Sequence, residues 1–156
     1  IAAGVELALV VGAVVVANGG GGGEGGGDDV ADDVADNVTQ LNLPGTAGWT
    51  DTGVEVDENQ NVQITATGRV SHVEGSFVGP DGEPGSVGHG SNIVAQANHS
   101  TLIGRLGEDA TPFAVGSSFT ATTASGETGT LYLTVNDVGL DNNSGSFDVV
   151  IRVREA

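Results

Sequence analysis

From about Trp49 to the C-terminus, short runs of alternating apolar and polar residues are separated by turns rich in Gly, Asn and Asp. Because successive side chains of a strand point to opposite faces, this pattern indicates strands with one buried face, and a series of them indicates an all-β sandwich. The shorter predicted strands cover residues 52–56, 62–68, 102–106 and 118–122, and two longer ones follow near the C-terminus. Eight or nine strands over about 110 residues give a core large enough to fold alone. The side chains expected to face that core are Val54, Val56, Val62, Ile64, Ala66, Leu131, Leu133, Val135, Phe147, Val149, Ile151 and Val153.

The chain is strongly acidic, with 21 Asp and Glu residues, 4 basic residues that are all Arg, and a formal net charge of −17. The lack of a cationic stripe excludes binding to the phosphate backbone of nucleic acids and argues against docking on anionic lipid headgroups through a basic surface. Cysteine is absent, which excludes disulfides, thiolate catalysis and Cys-ligated zinc. No Ser, His and Asp spacing or carboxylate pair suggests a catalytic centre, so the sequence predicts no enzyme. The acidity is also typical of adaptation to high salt.

The chain divides into three segments of different composition. Residues 1–17 are almost wholly apolar and contain one carboxylate, Glu6. As a helix they would span roughly 25 Å, a little less than a bilayer core of about 30 Å. Residues 18–46 are first glycine-rich and then acidic, which predicts a linker. Residues 47–156 are the predicted sandwich, so the sequence predicts a hydrophobic helix, a linker and one β domain.

The apolar start has three interpretations. It is the apolar region of a retained signal peptide, a membrane anchor, or an assembly segment that is buried among copies of itself in a filament. The third is loosely similar to type IV pilins, in which an apolar N-terminus has a carboxylate near its start. This resemblance implies that Glu6 pairs with the N-terminal amine of a neighbouring subunit. The residues expected to mediate assembly are Ile1, Glu6, Leu7, Leu9, Val10 and Val14.

An oxygen-rich turn follows the predicted strand LYLTVN. Within residues 137–143 it contains Asp137, Asp141, Asn142 and Asn143. Calcium takes six to eight oxygen ligands from carboxylates, amides and backbone carbonyls, so this segment is a candidate calcium loop. The alternative is a cluster of Asx turns, in which Asp and Asn side chains accept hydrogen bonds from their own backbone.

Five motifs of the β region together indicate a family. They are WTDTGV at 49–54, ATG at 66–68, GPDG at 79–82, LIGRLG at 102–107 and LYLTVNDVGLDNNSGSFDVVI at 131–151. The most specific part is NDV at 136–138 combined with NNSGSF at 142–147. From about residue 48 to 153 the chain thus resembles LecA-like (PA-IL-like) domains, which are bacterial calcium-dependent, galactose-specific lectins. The resemblance implies a jelly-roll-type β-sandwich.

The resemblance also implies the residues of a site. The implied calcium ligands are side-chain or backbone oxygens of His72, Asp137, Leu140, Asp141, Asn142 and Asn143. Of these, Asp137 would bind through its carboxylate and His72 through its backbone carbonyl. Two coordination positions would remain for water or for vicinal sugar hydroxyls. The implied carbohydrate contacts are His89, Asp137, Val138 and Asn142.

Three other polar residues receive structural interpretations. The side chains of His72 and His99 are expected to be isolated surface or hydrogen-bonded histidines. Arg105, within LIGRLG, is expected to form a structural ion pair.

Two functions follow from this reading of the sequence. The first is the subunit of an extracellular self-assembling filament, a homopolymer in which residues 1–17 form the core. A calcium-binding, lectin-like sandwich would decorate its outside, with adhesion to glycans as its expected role. The alternative is a membrane-anchored or secreted calcium-dependent lectin of the galactose type that does not polymerise. Both place the protein outside the cell or at its surface.

Overall fold

The computed structural model describes residues 37–156, which form a sandwich of two antiparallel sheets. The five-stranded sheet has the order β1-β9-β3-β4, with β7 also paired to β3, and the four-stranded sheet has the order β2-β8-β5-β6. The strands are β1 Asn37–Pro44, β2 Thr50–Val56, β3 Gln60–Val73, β4 Ser76–Val78, β5 Leu102–Leu106, β6 Phe113–Ala114, β7 Ser118–Thr122, β8 Gly129–Val135 and β9 Ser144–Glu155. The prediction of an all-β sandwich is confirmed.

The core lies between the inner faces of the two sheets. All twelve side chains that the sequence predicted to face it are buried. In β9, for example, Phe147, Val149, Ile151 and Val153 are at most 4% exposed. Burying such a side chain contributes about 1.5–3 kcal/mol to the stability of the fold, so the burial of these apolar faces is its main driving force.

The first strand, β1, lies in the segment that was expected to be linker. It pairs with β9 along its whole length, from Asn37 opposite Val153 to Pro44 opposite Ser146. Leu43 is fully buried in the core and Leu41 packs against it. Residues 37–44 therefore belong to the sandwich and not to a linker, because these leucines find an apolar surface that local composition does not reveal.

Several predictions lie outside the described residues. They are the hydrophobic helix of residues 1–17, its assembly residues Ile1, Glu6, Leu7, Leu9, Val10 and Val14, and the linker up to residue 36. In the described part of the chain, no helix combines the length and apolar character needed to cross a bilayer.

Arg105 does not form the ion pair that was expected. Its guanidinium carbon lies 4.3 Å from the ring centre of Trp49 and 5.3 Å from that of Tyr132. Among residues 37–156 no carboxylate oxygen lies within ion-pair distance of it. The cation is instead held by the electron-rich faces of two aromatic rings.

The end of β3, the start of β9 and the end of β8 lie together at one end of the sandwich, which we call the site end. The last residues of β3 pair with the first of β9, since Ser71 lies opposite Ser144. Strand β8 ends nearby at Val135. The long segment 79–101, which contains no strand, connects β4 to β5 and folds over this end. Loops of this length are uncommon in compact domains and are often functional.

The turn that begins segment 79–101 requires a glycine. Gly82 has a φ of +75°, and a Cβ atom there would lie 2.5 Å from Thr101 Oγ1 and 2.6 Å from the His99 carbonyl oxygen. The φ angle and the close approach both exclude a side chain. The GPDG motif thus fixes the segment against the strand that follows it.

Candidate functional site

An open pocket of roughly 460 Å³ lies at the site end. It is bounded by the end of β3, by segment 79–101 and by the turn after β8. Its lining residues are His72, Val73, His89, Ser91, His99, Asp137, Gly139, Asp141 and Asn142. The structure therefore brings together five of the predicted calcium or sugar residues, namely His72, His89, Asp137, Asp141 and Asn142.

The carboxylate of Asp137 is the most buried acidic group of the pocket, with the residue only 4% exposed. Its Oδ1 atom accepts a hydrogen bond of 2.8 Å from the Gly139 backbone N–H, which is the Asx turn expected from the composition. Its Oδ2 atom lies 3.7 Å from His99 Nε2. Because a buried carboxylate is costly unless its oxygens are satisfied, Oδ2 is the atom available to a ligand.

The remainder of the oxygen-rich turn forms a short 3₁₀ helix, Leu140–Asn142. The Asn143 N–H donates to the Leu140 carbonyl oxygen at 3.0 Å, while the Leu140 side chain packs against the core. A contribution from Leu140 to a metal would therefore come only from its backbone oxygen. Asp141 and Asn142 are exposed and face the pocket.

Asn143 is buried and only half satisfied. Its Nδ2 atom donates to the Gly45 carbonyl oxygen at 2.9 Å, whereas its Oδ1 atom is buried without a hydrogen-bond partner. Buried amide oxygens normally have a partner, so such an atom needs an explanation. A cation held by amide and carboxylate oxygens would supply one, and this donor set fits Ca²⁺.

All three histidines of the chain meet at the pocket, contrary to the expectation that His72 and His99 are isolated. The His99 ring stacks on His89, with ring centres 4.2 Å apart and planes 28° from parallel. It meets His72 edge to face, at 4.7 Å and 88°. No local spacing predicts this cluster, because the fold of segment 79–101 brings the three rings together.

His99 is the central ring and is 2% exposed. Burial lowers the pKa of His99 below its ordinary value, although the nearby Asp137 carboxylate acts in the opposite direction. Its Nδ1 atom lies 2.9 Å from Asn92 Oδ1. On the outer side of the cluster, His72 Nε2 lies 3.5 Å from Glu83 Oε2.

Asn136 attaches segment 79–101 to the end of β8. Its side chain is fully buried. Its Oδ1 accepts from the N–H groups of Ile93 and Val94, both at 2.8 Å, and its Nδ2 donates to the carbonyls of Val94 and Asn98, both at 3.0 Å. This amide fixes the histidine-bearing segment beside the neighbouring Asp137.

Val138 continues the same attachment through its backbone. Its N–H donates to the Ser91 carbonyl at 2.9 Å, and its side chain is 67% exposed. Val138 is not among the residues that line the pocket, so its predicted contact with a sugar stays a prediction.

The fold matches that of a solved structure described as the EclA N-terminal domain, a PllA-like lectin. The match has a TM-score of 0.58 and 20% sequence identity, and covers 74% of this chain and 96% of that chain. The resemblance to LecA-like (PA-IL-like) domains is thereby confirmed at the level of the fold. No protein-family model and no curated protein matches the sequence.

Proposed function

We propose that this protein is a calcium-dependent lectin that binds glycans of the galactose type at the pocket of the site end. The observation that supports this most directly is the meeting of Asp137, Asp141 and Asn142 in one open pocket on a lectin fold. Oxygen-rich side chains beside a shallow cavity suit a ligand that offers many hydroxyl groups. We also propose that the strands of the two sheets are connected as in a jelly roll, as the family resemblance implies.

Calcium would be held by the Asp137 carboxylate and the amide oxygens of Asn142 and Asn143. Backbone oxygens of Leu140 or Asp141, and of His72, would complete the protein ligands. When bound, the ion supplies positive charge and open coordination positions for sugar hydroxyls. The chain itself would orient the sugar through His89, Asp137, Val138 and Asn142.

Calorimetry with galactosides, in calcium and in chelator, tests this proposal. We expect binding heat in calcium only. The variant Asp137→Asn should lose it, whereas Asp109→Asn, an exposed carboxylate in the β5–β6 loop, is the matched control and should keep it. No heat in either condition would refute glycan binding of this type.

Thermal unfolding separates the calcium site from the sugar site. At a calcium concentration about 100 times the dissociation constant, binding stabilises the fold by about 2.7 kcal/mol. We expect calcium to raise the melting temperature of the wild type and Asp109→Asn but not of Asp137→Asn. Equal responses of both variants would show that the turn is only structural.

We further propose that the lectin domain is displayed on an extracellular homopolymer. The support is the apolar sequence of residues 1–17 with its single carboxylate, Glu6. Negative-stain electron microscopy of the full chain and of a chain lacking residues 1–17 tests this. Undiminished filaments after the deletion would refute it, and full-length protein that partitions into vesicles without forming filaments would favour the membrane-anchored alternative.

A further inference from the structure

The orientation of the Asn92 side chain is fixed by its neighbours. Its Nδ2 atom donates to two backbone carbonyls, that of Ser86 at 3.1 Å and that of Ala97 at 3.0 Å. A flipped amide would place its oxygen against two carbonyl oxygens, which cannot donate. The Asn92 Oδ1 atom must therefore be the one that faces His99.

This orientation determines which nitrogen of His99 bears hydrogen. Asn92 Oδ1 is only an acceptor, so His99 Nδ1, 2.9 Å away, must be the donor. In a neutral imidazole the other nitrogen then has a lone pair and no hydrogen. The stacked His89 and the perpendicular His72 hold the ring in this plane.

The lone pair of His99 Nε2 faces a second acceptor. Asp137 Oδ2 lies 3.7 Å away, and the other oxygen of that carboxylate is occupied by the Gly139 N–H. Among residues 37–156, no N–H or O–H group donates to Oδ2. Two acceptors that face each other at the wall of a pocket leave a position that suits a hydrogen-bond donor.

We propose that Asn92 is a positioning residue that locks His99 in its Nδ1–H form, so that His99 Nε2 and Asp137 Oδ2 together accept hydrogen bonds from hydroxyl groups of the bound ligand. The binding of ligand hydroxyls by His99 and Asp137 (the ligand role) rests on the proposed function. The effect of Asn92 on the tautomer of His99 (the lock) does not. A transition metal is a poorer occupant, because no three His, Cys, Asp or Glu residues in the described part of the chain are arranged to hold one. The site would thus select free hydroxyls over ethers or deoxy positions.

The lock is tested by nitrogen NMR of the histidine side chains in the ligand-free, calcium-free protein at pH about 8, where an ordinary histidine is neutral. We expect His99 to show a protonated Nδ1 and an unprotonated Nε2. The variant Asn92→Ala should lose this pattern, and Asn42→Ala, which removes an amide that donates to Ser146 and Asp148, should retain it. A wild-type spectrum with hydrogen on Nε2 would overturn the proposal without any variant.

The ligand role is tested by galactosides whose hydroxyls are replaced one at a time by methoxy groups or hydrogen. We expect about a tenfold loss of affinity for the hydroxyl that reaches the pair, as for one net hydrogen bond, and a shift of the His99 Nε2 resonance when the parent sugar binds. Binding that leaves this resonance unmoved would refute the ligand role. Absence of any galactoside binding would refute the proposed function and the ligand role with it. The effect of Asn92 on the His99 tautomer is tested by the ligand-free spectrum alone.

Discussion

Replacing Asn136 by Ala should produce one of the largest losses of stability of any single polar substitution in the sandwich. The side chain is fully buried and makes four hydrogen bonds of 2.8–3.0 Å to segment 79–101. At about 1 kcal/mol for each bond the loss would be roughly 4 kcal/mol, and partial relaxation of the segment reduces it to about 3 kcal/mol. A domain of this size has roughly 5–15 kcal/mol of stability, so the variant should still fold.

Urea unfolding monitored by Trp49 fluorescence measures this change, and the melting temperature should fall by roughly 12 °C. Asn61→Ala is the control, because that amide only accepts a hydrogen bond from the Thr122 hydroxyl on the sheet surface. Its effect should stay below about 1 kcal/mol. If Asn136→Ala costs no more than the control, then segment 79–101 is not held by this amide, and our account of how the pocket is assembled is wrong.

Three further outcomes follow from the structure. Gly145→Ala should destabilise the fold by about 2 kcal/mol or more, because Gly145 has a φ of +77° and an added Cβ would lie 2.2 Å from the Arg69 carbonyl oxygen; chemical unfolding against Gly53→Ala, a positive-φ glycine with open space around it, isolates the steric part. The pKa of His99 is lowered in the folded state, so its contribution to stability is complete above the ordinary value of 6.5 and is lost as pH falls through the folded-state pKa; a pH series of unfolding free energies should show this loss in the wild type and less of it in His99→Gln, and parallel curves would contradict it. Added NaCl should raise the melting temperature, because 21 acidic residues face only 4 basic ones and salt screens their repulsion; a melting temperature unchanged between low and molar salt would exclude such stabilisation.

The strands and the core could be predicted because the information is local. An alternation of period two in β3, β8 and β9 determines which side chains point inward, and all of those predicted do so. Strand β1 was missed because its apolar positions Leu41 and Leu43 follow a glycine-rich and acidic stretch that reads as a linker. Its pairing with β9 is a contact between the two ends of the domain, which no local pattern encodes.

The candidate site likewise has one part that local sequence reveals and one part that it does not. The oxygen-rich turn from Asp137 to Asn143 is contiguous, so composition and the family resemblance both point to it. The histidine cluster is not contiguous, since His72 belongs to a strand and His89 and His99 to a segment without regular structure. Their meeting depends on amides such as Asn136, which is buried and bonds to backbone groups, and Asn92, which bonds to two backbone carbonyls and to the His99 ring. Sequence patterns do not identify such partners, and the role of His99 therefore emerges only from the folded chain.

The direction of β1 gives the domain a polarity. Pro44 lies at the site end, beside the residues that open β9, and Asn37 lies seven residues away at the opposite end of the sandwich, about 24 Å distant for an extended strand. The polypeptide thus enters the sandwich on the side remote from the pocket. An attachment made directly beside Asn37 would therefore not cover the pocket, because the two lie at opposite ends of β1.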